Sequence, residues 1–528
     1  MLEHRPCIKY QAARASRFML FRILPTWLIL CILASCSSIP TDYSKPVSSA
    51  LPDTVDTRLG QRVQAVTQGH AGQSGFYLIR DGVESLAART QLAETAERSI
   101  DIQCFYILKD VVGRIVINSL LQAADRGVRV RLLLDDFSTS GYDESLKALD
   151  SHQNIEVRIF NPFVHRSFRI LDFATDFSRL NHRMHNKSVT FDNQVTIVGG
   201  RNIGADYFGA SETHRFADLD VLGVGPVAAE VSKAFDRHWN HEVSVPVSAL
   251  LPGKVAPGVL DGMRDRVDEI ADEAEGTPYG RILDASNVGG TVIRDNELTF
   301  SDAIVVADPP DKASEDFDPD DPDLIRSELG PFIRGAQSEL FVSTPYFVPR
   351  DTGVALFREL RERGVKVVVV TNSLASNDMT PVHSGYARYR DDLLALGVEL
   401  WEVKSDRDRT HESSKLGISQ STLHMKAFVI DRRQLFVGSF NWDPRSQYIN
   451  TEMGVFFDST ALAASAADTF QSLLPKVAYR VELDENGDLR WTDFTAQPAV
   501  IHRQEPDAGL WLRFKAGFYR FMPIEGQL

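Results

Sequence analysis

The sequence predicts an α/β protein of two fused homologous halves, each a mixed, mostly parallel sheet flanked by helices, with the active site on a pseudo-twofold axis between them. First, the pattern H-x-K-x4-D followed by G-x-x-N occurs twice with one constant offset, starting at His185 and at His424. Second, each half contains a strand, helix, strand pattern, which indicates a βαβ unit. Third, the strands of these units are short continuous apolar runs, which are typical of buried parallel strands.

The length of 528 residues exceeds what one small core organises, and the repeat divides the chain into segments. We predict a signal peptide at 1–35, a lipoprotein tether at 36–74 and a first half at 75–300. An acidic inter-half loop at 301–325 leads to a second half at 326–480, and residues 481–528 form a C-terminal extension with a membrane-surface contact.

The chain begins with a segment that predicts export. Residues 19–36 combine a basic start, an apolar run of about a dozen residues and small residues before Cys36. This ending resembles the bacterial lipoprotein box, which would make Cys36 a diacylglycerol-modified N-terminus. The alternative is an uncleaved signal anchor, and translation could start at Met1 or at Met19.

Both βαβ units can be traced in register. The paired segments are strands at 99–106 and 338–346, helices at 115–125 and 355–362, and strands at 126–134 and 363–370. With Cys36 acylated and the other leader cysteines removed, Cys104 remains alone, so no disulfide or cysteine metal site is expected. We interpret Cys104 as a buried strand thiol.

Each histidine motif is predicted to form a strand, a turn and a second strand. His and Lys two residues apart project from the same face of a strand. The Gly pair after the second strand allows a close bend that brings the Asn to the strand end. The candidate catalytic residues are thus two equal sets of His, Lys and Asn: His185, Lys187, Asn202, His424, Lys426 and Asn441.

Two further segments lie outside the repeat. Residues 308–323 are dominated by Asp and Pro, and we interpret them as an exposed loop between the halves. Residues 481–493 predict a small hairpin with its turn at Asn486-Gly487. In the tail, residues 510–522 interleave aromatic and basic residues, which is typical either of a bilayer-surface segment or of a terminal helix packed on the sheet.

The paired motifs suit phosphodiester chemistry. Two ammonium groups and two amides can offset phosphate charge, and no convincing metal-binding cluster is present, so no metal and no cofactor is expected. One imidazole can attack phosphorus while the other protonates the leaving oxygen. The net charge of −15 weighs against a nucleic-acid substrate.

An attacking imidazole needs its other nitrogen held, ideally by a carboxylate. We expect Asp218 to hold the histidine of the first half and Glu452 that of the second. For Asp192 and Asp431, whose position is a turn, a structural part in the hairpin is favoured over catalysis. His383 and Tyr386 fit either a head-group pocket or, preferably, a packed helix face.

The duplicated motif resembles the phospholipase D superfamily over residues 75–480. The match to the bacterial cardiolipin synthase C group is carried by several separate segments, at 175–188, 198–204, 371–375 and 438–446. The resemblance implies His185 as nucleophile, His424 as general acid and base, and Ser439 assisting phosphate binding. Gly200 stands where the superfamily often has Ser, so a hydroxyl role is absent there.

The resemblance further implies transfer of a phosphatidyl group to phosphatidylglycerol, giving cardiolipin, with phosphatidylethanolamine as the expected donor. The rival readings are a phospholipase D that releases phosphatidic acid, a nuclease, and a non-catalytic lipid-binding lipoprotein. Ser37 after Cys36 favours the outer membrane over the inner one, with catalysis facing the periplasm.

Overall fold

The computed structural model describes residues 39–211, 216–264, 297–314, 317–405 and 422–528. The predicted signal peptide and Cys36 lie outside these residues. Within the described ranges, no helix combines the length and the apolar character needed to cross a membrane.

The helices of the described residues are labelled in chain order. They are α1 (Arg58–Thr67), α2 (Gly82–Thr95), α3 (Val111–Asp125), α4 (Asp143–Asp150), α5 (Arg169–Thr175), α6 (Phe177–Asn181), α7 (Pro226–Asn240), α8 (Val247–Leu250), α9 (Ile325–Arg334), α10 (Arg350–Glu362), α11 (Thr380–Tyr386), α12 (Arg390–Ala395), α13 (Pro444–Tyr448), α14 (Thr460–Val477) and α15 (Leu510–Tyr519).

The strands are labelled in the same way. They are β1 (Ser74–Ile79), β2 (Ser99–Cys104), β3 (Arg129–Asp135), β4 (Ile155–Phe160), β5 (Ser188–Phe191), β6 (Val195–Gly199), β7 (Phe216–Ala217), β8 (Asp220–Val224), β9 (Ser244–Pro246), β10 (Thr299–Ala307), β11 (Glu339–Ser343), β12 (Lys366–Asn372), β13 (Glu399–Val403), β14 (Thr422–Leu423), β15 (Ala427–Ile430), β16 (Gln434–Gly438), β17 (Met453–Asp458), β18 (Ala478–Leu483), β19 (Leu489–Asp493) and β20 (Val500–His502).

The predicted fold class is confirmed. The βαβ units pair β2 with β3 and β11 with β12 in parallel, and each connecting helix is followed by a glycine with positive φ, Gly127 at 94° and Gly364 at 82°. Each sheet is mixed, as predicted, but the expectation that its strands would be mostly parallel is wrong, because the histidine hairpins and the strands that follow them pair antiparallel. Parallel pairing extends only one strand further, to β4 and to β13, and the remaining pairs of both sheets are antiparallel.

The two sheets are joined through β10. Its first residues pair with β1 of the first half, and Asp302–Ala307 pair with β17 of the second. A shared apolar core lies between the halves, where α7 and α14 pack with strands of both sheets and the rings of Phe76 and Phe457 meet edge to face at 4.4 Å. The two histidine motifs, which lie far apart along the chain, are therefore carried by one continuous framework.

The predicted tether is in part a docked segment. The backbone N–H groups of Ser48 and Ala50 donate to the side chains of Asn240 and Asp236 on α7, and α1 buries Leu59 completely. These hydrogen bonds hold the backbone around residues 48–50 against the first half, so only the stretch before this docking can act as a free tether.

The predicted acidic loop also differs from expectation. Its first residues form β10, and Asp308 and Lys312 are buried with their charges paired at 2.7 Å. The acidic composition did not predict this contact, because the burial of Asp308 depends on the Lys312 ammonium and on two backbone N–H groups that its carboxylate accepts. The predicted C-terminal hairpin is confirmed by the antiparallel pair β18 and β19, with Gly487 at φ 84°.

Candidate active site

Two hairpins carry the histidine motifs, β5–β6 in the first half and β15–β16 in the second. Three residues connect the paired strand ends in each hairpin, and the first two of them have positive φ. The His and Lys residues lie in the extended backbone just before β5 and β15, and each Asn follows the end of the second strand by three residues.

Each histidine segment runs beside a segment of the other half. The His185 backbone N–H donates to the Thr451 carbonyl at 2.8 Å, and the His424 N–H donates to the Ala217 carbonyl at 2.9 Å. The residues after these two acceptors are Glu452 and Asp218. The backbone pairing therefore delivers each carboxylate to the histidine of the opposite half.

The carboxylates are paired across the halves. His185 Nδ1 lies 2.8 Å from Glu452 Oε2, and His424 Nδ1 lies 2.7 Å from Asp218 Oδ2. The prediction that each half would supply its own carboxylate is wrong. The physical reason is the inter-half backbone pairing, which sequence order does not reveal.

The two lysines lie beside the imidazoles. Lys187 Nζ donates to the His185 carbonyl at 2.7 Å, and Lys426 Nζ donates to the His424 carbonyl and lies 3.1 Å from His424 Nε2. Burial, together with the mutual repulsion of the two ammoniums, lowers the pKa of Lys187 to about 7, and burial lowers the pKa of Lys426 to about 8. An anion that binds beside these two groups would therefore stabilise their charged forms.

The two asparagines are buried next to these groups. Asn202 Nδ2 donates to the Tyr207 hydroxyl at 3.2 Å, and Asn441 Oδ1 accepts a long hydrogen bond of 3.5 Å from Thr344 Oγ1. These hydrogen bonds position the amides, and the bond at Asn441 uses its oxygen and not its N–H donors.

Ser439 and Gly200 occupy equivalent places but differ in function. Ser439 Oγ donates to Glu452 Oε2, so this hydroxyl holds the carboxylate behind His185. At Gly200, a Cβ would lie 2.3 Å from Asp218 Oδ1, and the carboxylate itself fills the space. The first copy therefore excludes a serine for a steric reason.

Asp192 and Asp431 lie away from the imidazoles. Each carboxylate accepts backbone N–H groups at the start of the first strand of its βαβ unit, from residues 97–99 and 337–339 respectively. They fasten the hairpin turn to the sheet, which is the structural part favoured by the sequence.

A further set of residues supports Glu452, and sequence reasoning missed it. Ser446 Oγ donates to Glu452 Oε1 at 2.7 Å, and the Glu452 N–H donates to Asp308 Oδ2 at 2.9 Å. Lys312 Nζ bonds both Asp308 and the Ser446 carbonyl. The sequence held a signal for Ser446 only, since Asp443-Pro444 marks a capped helix start just after the motif.

The electrostatics differ between the two His–carboxylate pairs. Burial lowers the pKa of His185 to about 4, despite the opposing attraction of Glu452. Burial alone would raise the pKa of Glu452, but His185 and Lys187 outweigh it and the pKa is lowered. Burial raises the pKa of Asp218, and burial together with Lys426 holds the pKa of His424 well below its usual value.

The charges of the two halves act on each other. Lys426 lowers the pKa of His185, and Lys187 and His185 lower that of His424. The two histidines and the two lysines therefore occupy one electrostatic environment. Aromatic rings lie beside both imidazoles, with Phe105 5.6 Å from the His185 ring and Tyr207 4.9 Å from the His424 ring.

Other predicted features are placed as follows. Cys104 is buried, and burial raises its pKa to about 12. His383 and Tyr386 are buried in α11, where the Tyr386 hydroxyl donates to Glu402, so the packed-helix interpretation is confirmed. No group of three or more metal-ligating side chains occurs within the described ranges.

Comparison with known sequences gives a consistent result. Residues 90–239 and 329–474 match the family described as "Cardiolipin synthase, PLD-like domain". The chain is 40% identical over 480 residues to cardiolipin synthase C of Escherichia coli K12, which covers 89% of this chain and 99% of that one. It is 30% identical over 497 residues to an uncharacterized protein of Helicobacter pylori 26695, covering 91% and 95%.

Among solved structures, the phosphatidylserine synthase of Haemophilus influenzae Rd KW20 aligns with a TM-score of 0.51. The alignment covers 79% of this chain and 91% of that chain at 12% identity, so the likeness concerns the fold.

Proposed function

Because this chain belongs to the phospholipase D-like family of cardiolipin synthases, we propose that it is a phosphatidyltransferase that makes cardiolipin from phosphatidylglycerol and a second phospholipid. The observation that carries the proposal is the pair of crossed contacts, His185 with Glu452 and His424 with Asp218. Two imidazoles, each held at Nδ1 by a buried carboxylate, are what a two-step transfer through a phosphohistidine requires.

In the first step, Nε2 of His185 attacks the donor phosphorus and a P–N bond forms. The bond from phosphorus to the head-group oxygen breaks, and His424 gives that oxygen a proton. In the second step, His424 takes the proton of a phosphatidylglycerol hydroxyl, whose oxygen attacks phosphorus and displaces His185. Lys187, Lys426, Asn202 and Asn441 offset the charge that develops on the phosphate oxygens.

Assigning His185 as the nucleophile has electrostatic support. The lowered pKa of Glu452 keeps this carboxylate ionised, and an ionised partner holds the proton on Nδ1 and leaves the Nε2 lone pair free. The raised pKa of Asp218 favours a shared proton with His424, which suits a group that must donate one.

Phosphatidylethanolamine is the proposed donor, with its alcohol as the leaving group. A hydrolase with the same histidines is the second candidate, since water could replace the lipid hydroxyl in the second step. We propose that the acceptor is a lipid because aromatic rings flank both imidazoles and reduce the room for water.

The test follows both products from labelled phosphatidylglycerol, alone and then with phosphatidylethanolamine added. We expect cardiolipin to exceed phosphatidic acid and to rise with phosphatidylethanolamine, and His185→Ala to lose at least about a thousandfold of either product. Phosphatidic acid as the main product would favour the hydrolase, and unchanged product from His185→Ala would remove the catalytic proposal.

A donor with a p-nitrophenyl head group separates the two histidines. Its leaving group departs without a proton, so His424→Ala should retain a first burst of nitrophenol while His185→Ala should give none. A burst from His185→Ala and none from His424→Ala would reverse the assignment.

The leader at Cys36 lies outside the described residues, and we propose a periplasm-facing lipoprotein, with the outer membrane favoured, from the sequence alone.

A further inference from the structure

Helix α15 and the turn after it expose an unusual amount of apolar surface. The helix buries none of its residues. Its large side chains face solvent, with exposed fractions of 84% for Leu510, 73% for Trp511, 64% for Phe514, 58% for Phe518 and 88% for Phe521. Apolar side chains grouped in this way mark an interaction surface.

The same stretch is locally cationic in an acidic protein. Between Asp507 and Glu525 the chain contains Arg513, Lys515 and Arg520 and no acidic residue, whereas its overall net charge is −15. Aromatic residues interleaved with cations suit the interface of an anionic phospholipid bilayer, where rings enter the head-group layer and cations meet phosphates.

A second apolar patch lies on the segment that leads to the first histidine. Phe168, Ile170 and Phe177 are 59%, 68% and 54% exposed. This segment is held to the C-terminal tail, because Asn181 Nδ2 donates a hydrogen bond to Gln527 Oε1 at 2.7 Å. Five residues lie between Phe521 and Gln527, so the Cα atoms of these two residues are at most about 22 Å apart, and the tail links the first patch to the segment that carries the second.

A row of aromatic rings connects the second patch with the site. Phe173 meets Phe137 at 6.5 Å, Phe137 stacks on Phe105 at 5.9 Å, and Phe105 meets the His185 ring at 5.6 Å. Phe137 is itself half exposed. A contiguous row of aromatic rings therefore extends from the half-exposed Phe137 to the His185 ring.

We propose that these two patches form one docking surface for an anionic phospholipid bilayer, and that the aromatic row leads a lipid from that bilayer to His185. The inference rests on the proposed function in taking the substrate to be a phospholipid. The docking surface is defined by Trp511, Phe514, Phe518, Phe521, Phe168 and Ile170.

The test places the full chain on vesicles of brominated phosphatidylglycerol and phosphatidylcholine and reads Trp511 fluorescence. The contribution of Trp511 is the difference between the parent and Trp511→Phe. We expect the bromines to quench this contribution and the triple variant Phe514→Ser, Phe518→Ser, Phe521→Ser to lower the ratio of vesicle to detergent-micelle turnover at least about tenfold. The matched control is Val500→Ser with Ile501→Ser, which removes exposed apolar residues on β20 and should leave the ratio unchanged.

The outcomes separate the docking surface from the chemistry. Unquenched Trp511, or an unchanged turnover ratio in the triple variant, would overturn the docking surface even if the enzyme is active in micelles. Trp511 emission already shifted to the blue without lipid, and unaffected by it, would mean that a second copy or another segment covers α15, which also overturns it. A parent without product in micelles would remove the proposed function, while the quenching would still test the surface.

Discussion

The ionisation of four buried side chains determines when the site is competent. The proposed mechanism requires neutral His185 for attack, and its pKa of about 4 keeps it neutral over most of the physiological range. The same mechanism requires charged Lys187 and Lys426 to offset the phosphate, and their pKa values of about 7 and 8 place the loss of that charge near neutrality. The carboxylate of Glu452 raises the pKa of His185 and so limits how far burial can lower it.

These values predict a bell-shaped pH profile of kcat/KM, which reports the free enzyme. Activity should fall as the pH drops through about 4, because protonated His185 cannot attack. It should also fall as the pH rises through about 7 to 8, because the lysines lose their charge. In Lys187→Arg the guanidinium stays protonated, so we expect the alkaline limb to move up by about one pH unit.

The measurement is the initial rate in mixed micelles from about pH 3.5 to pH 9.5 at subsaturating lipid. Lys254→Arg, on an exposed residue, controls for the general effect of the substitution and should leave the profile in place. An alkaline limb that stays put in Lys187→Arg would show that another group controls it.

At the scale of the elements, the two hairpin turns depend on their aspartates. Asp192 is fully buried and accepts N–H groups from Glu97, Arg98 and Ser99, whereas Asp431 performs the same task in a more exposed turn. Backbone hydrogen bonds lower the pKa of Asp431 against the effect of burial. Its contribution to stability is therefore present above the unfolded pKa and lost as the pH falls through the lower folded value.

We predict that Asp192→Ala destabilises the protein by about 2–4 kcal/mol, because several buried N–H groups lose their acceptor, and that Asp431→Ala costs about 1–2 kcal/mol. The midpoint of urea unfolding measures both. Asp192→Asn keeps one acceptor oxygen and should fall between Asp192→Ala and the parent. Turnover per folded molecule should stay within about threefold, and a loss as large as that of His185→Ala would instead assign Asp192 to the chemistry.

Local patterns were sufficient for the elements that depend on local physics. The βαβ units, both histidine hairpins and the hairpin of β18 and β19 follow from apolar runs and turn residues. Composition was insufficient where burial depends on specific side-chain and backbone contacts. The stretch around Ser48 docks on α7, and Asp308 is buried because Lys312 and two backbone N–H groups meet it.

At the scale of the whole molecule, the site exists only where the halves meet. The sequence repeat predicted His185, His424, the two lysines and the two asparagines as site residues, because both halves have the same spacing between them. Which carboxylate faces which histidine depends on the pairing of residue 451 with 185 and of residue 217 with 424, and this information is absent from either half. Because the histidine–carboxylate pairs cross between the halves, each imidazole lies in one half and is held by a carboxylate of the other.

The segment between the halves supports this arrangement through its contact with Glu452. Asp308 directly follows β10, the strand that joins the two sheets, and its carboxylate accepts hydrogen bonds from the N–H groups of Glu452 and Ile325 and from the Lys312 ammonium. Both Asp308 and Lys312 are at most 1% exposed. Their contact therefore links the framework between the halves to the carboxylate that orients His185.

We predict that Asp308→Ala and Lys312→Met each destabilise the protein by about 3–5 kcal/mol, since each leaves an uncompensated buried charge. The double variant removes both charges and should recover more than half of that loss. Its kcat should nevertheless remain at least about tenfold low, because Glu452 has lost the acceptor of its N–H group and His185 is less well oriented. Urea unfolding and single-turnover formation of the phosphohistidine measure the two effects.

The exposed pair Arg433 and Asp458 provides the matched comparison, since both are solvent-accessible and their charges lie 2.8 Å apart. Removing it should change stability by less than about 1 kcal/mol and leave turnover unchanged. If the double variant at 308 and 312 regained full turnover together with stability, the pair would serve folding alone and His185 would be oriented without it. A double variant that is stable yet slow would instead show that the joint between the halves is part of what positions the nucleophile.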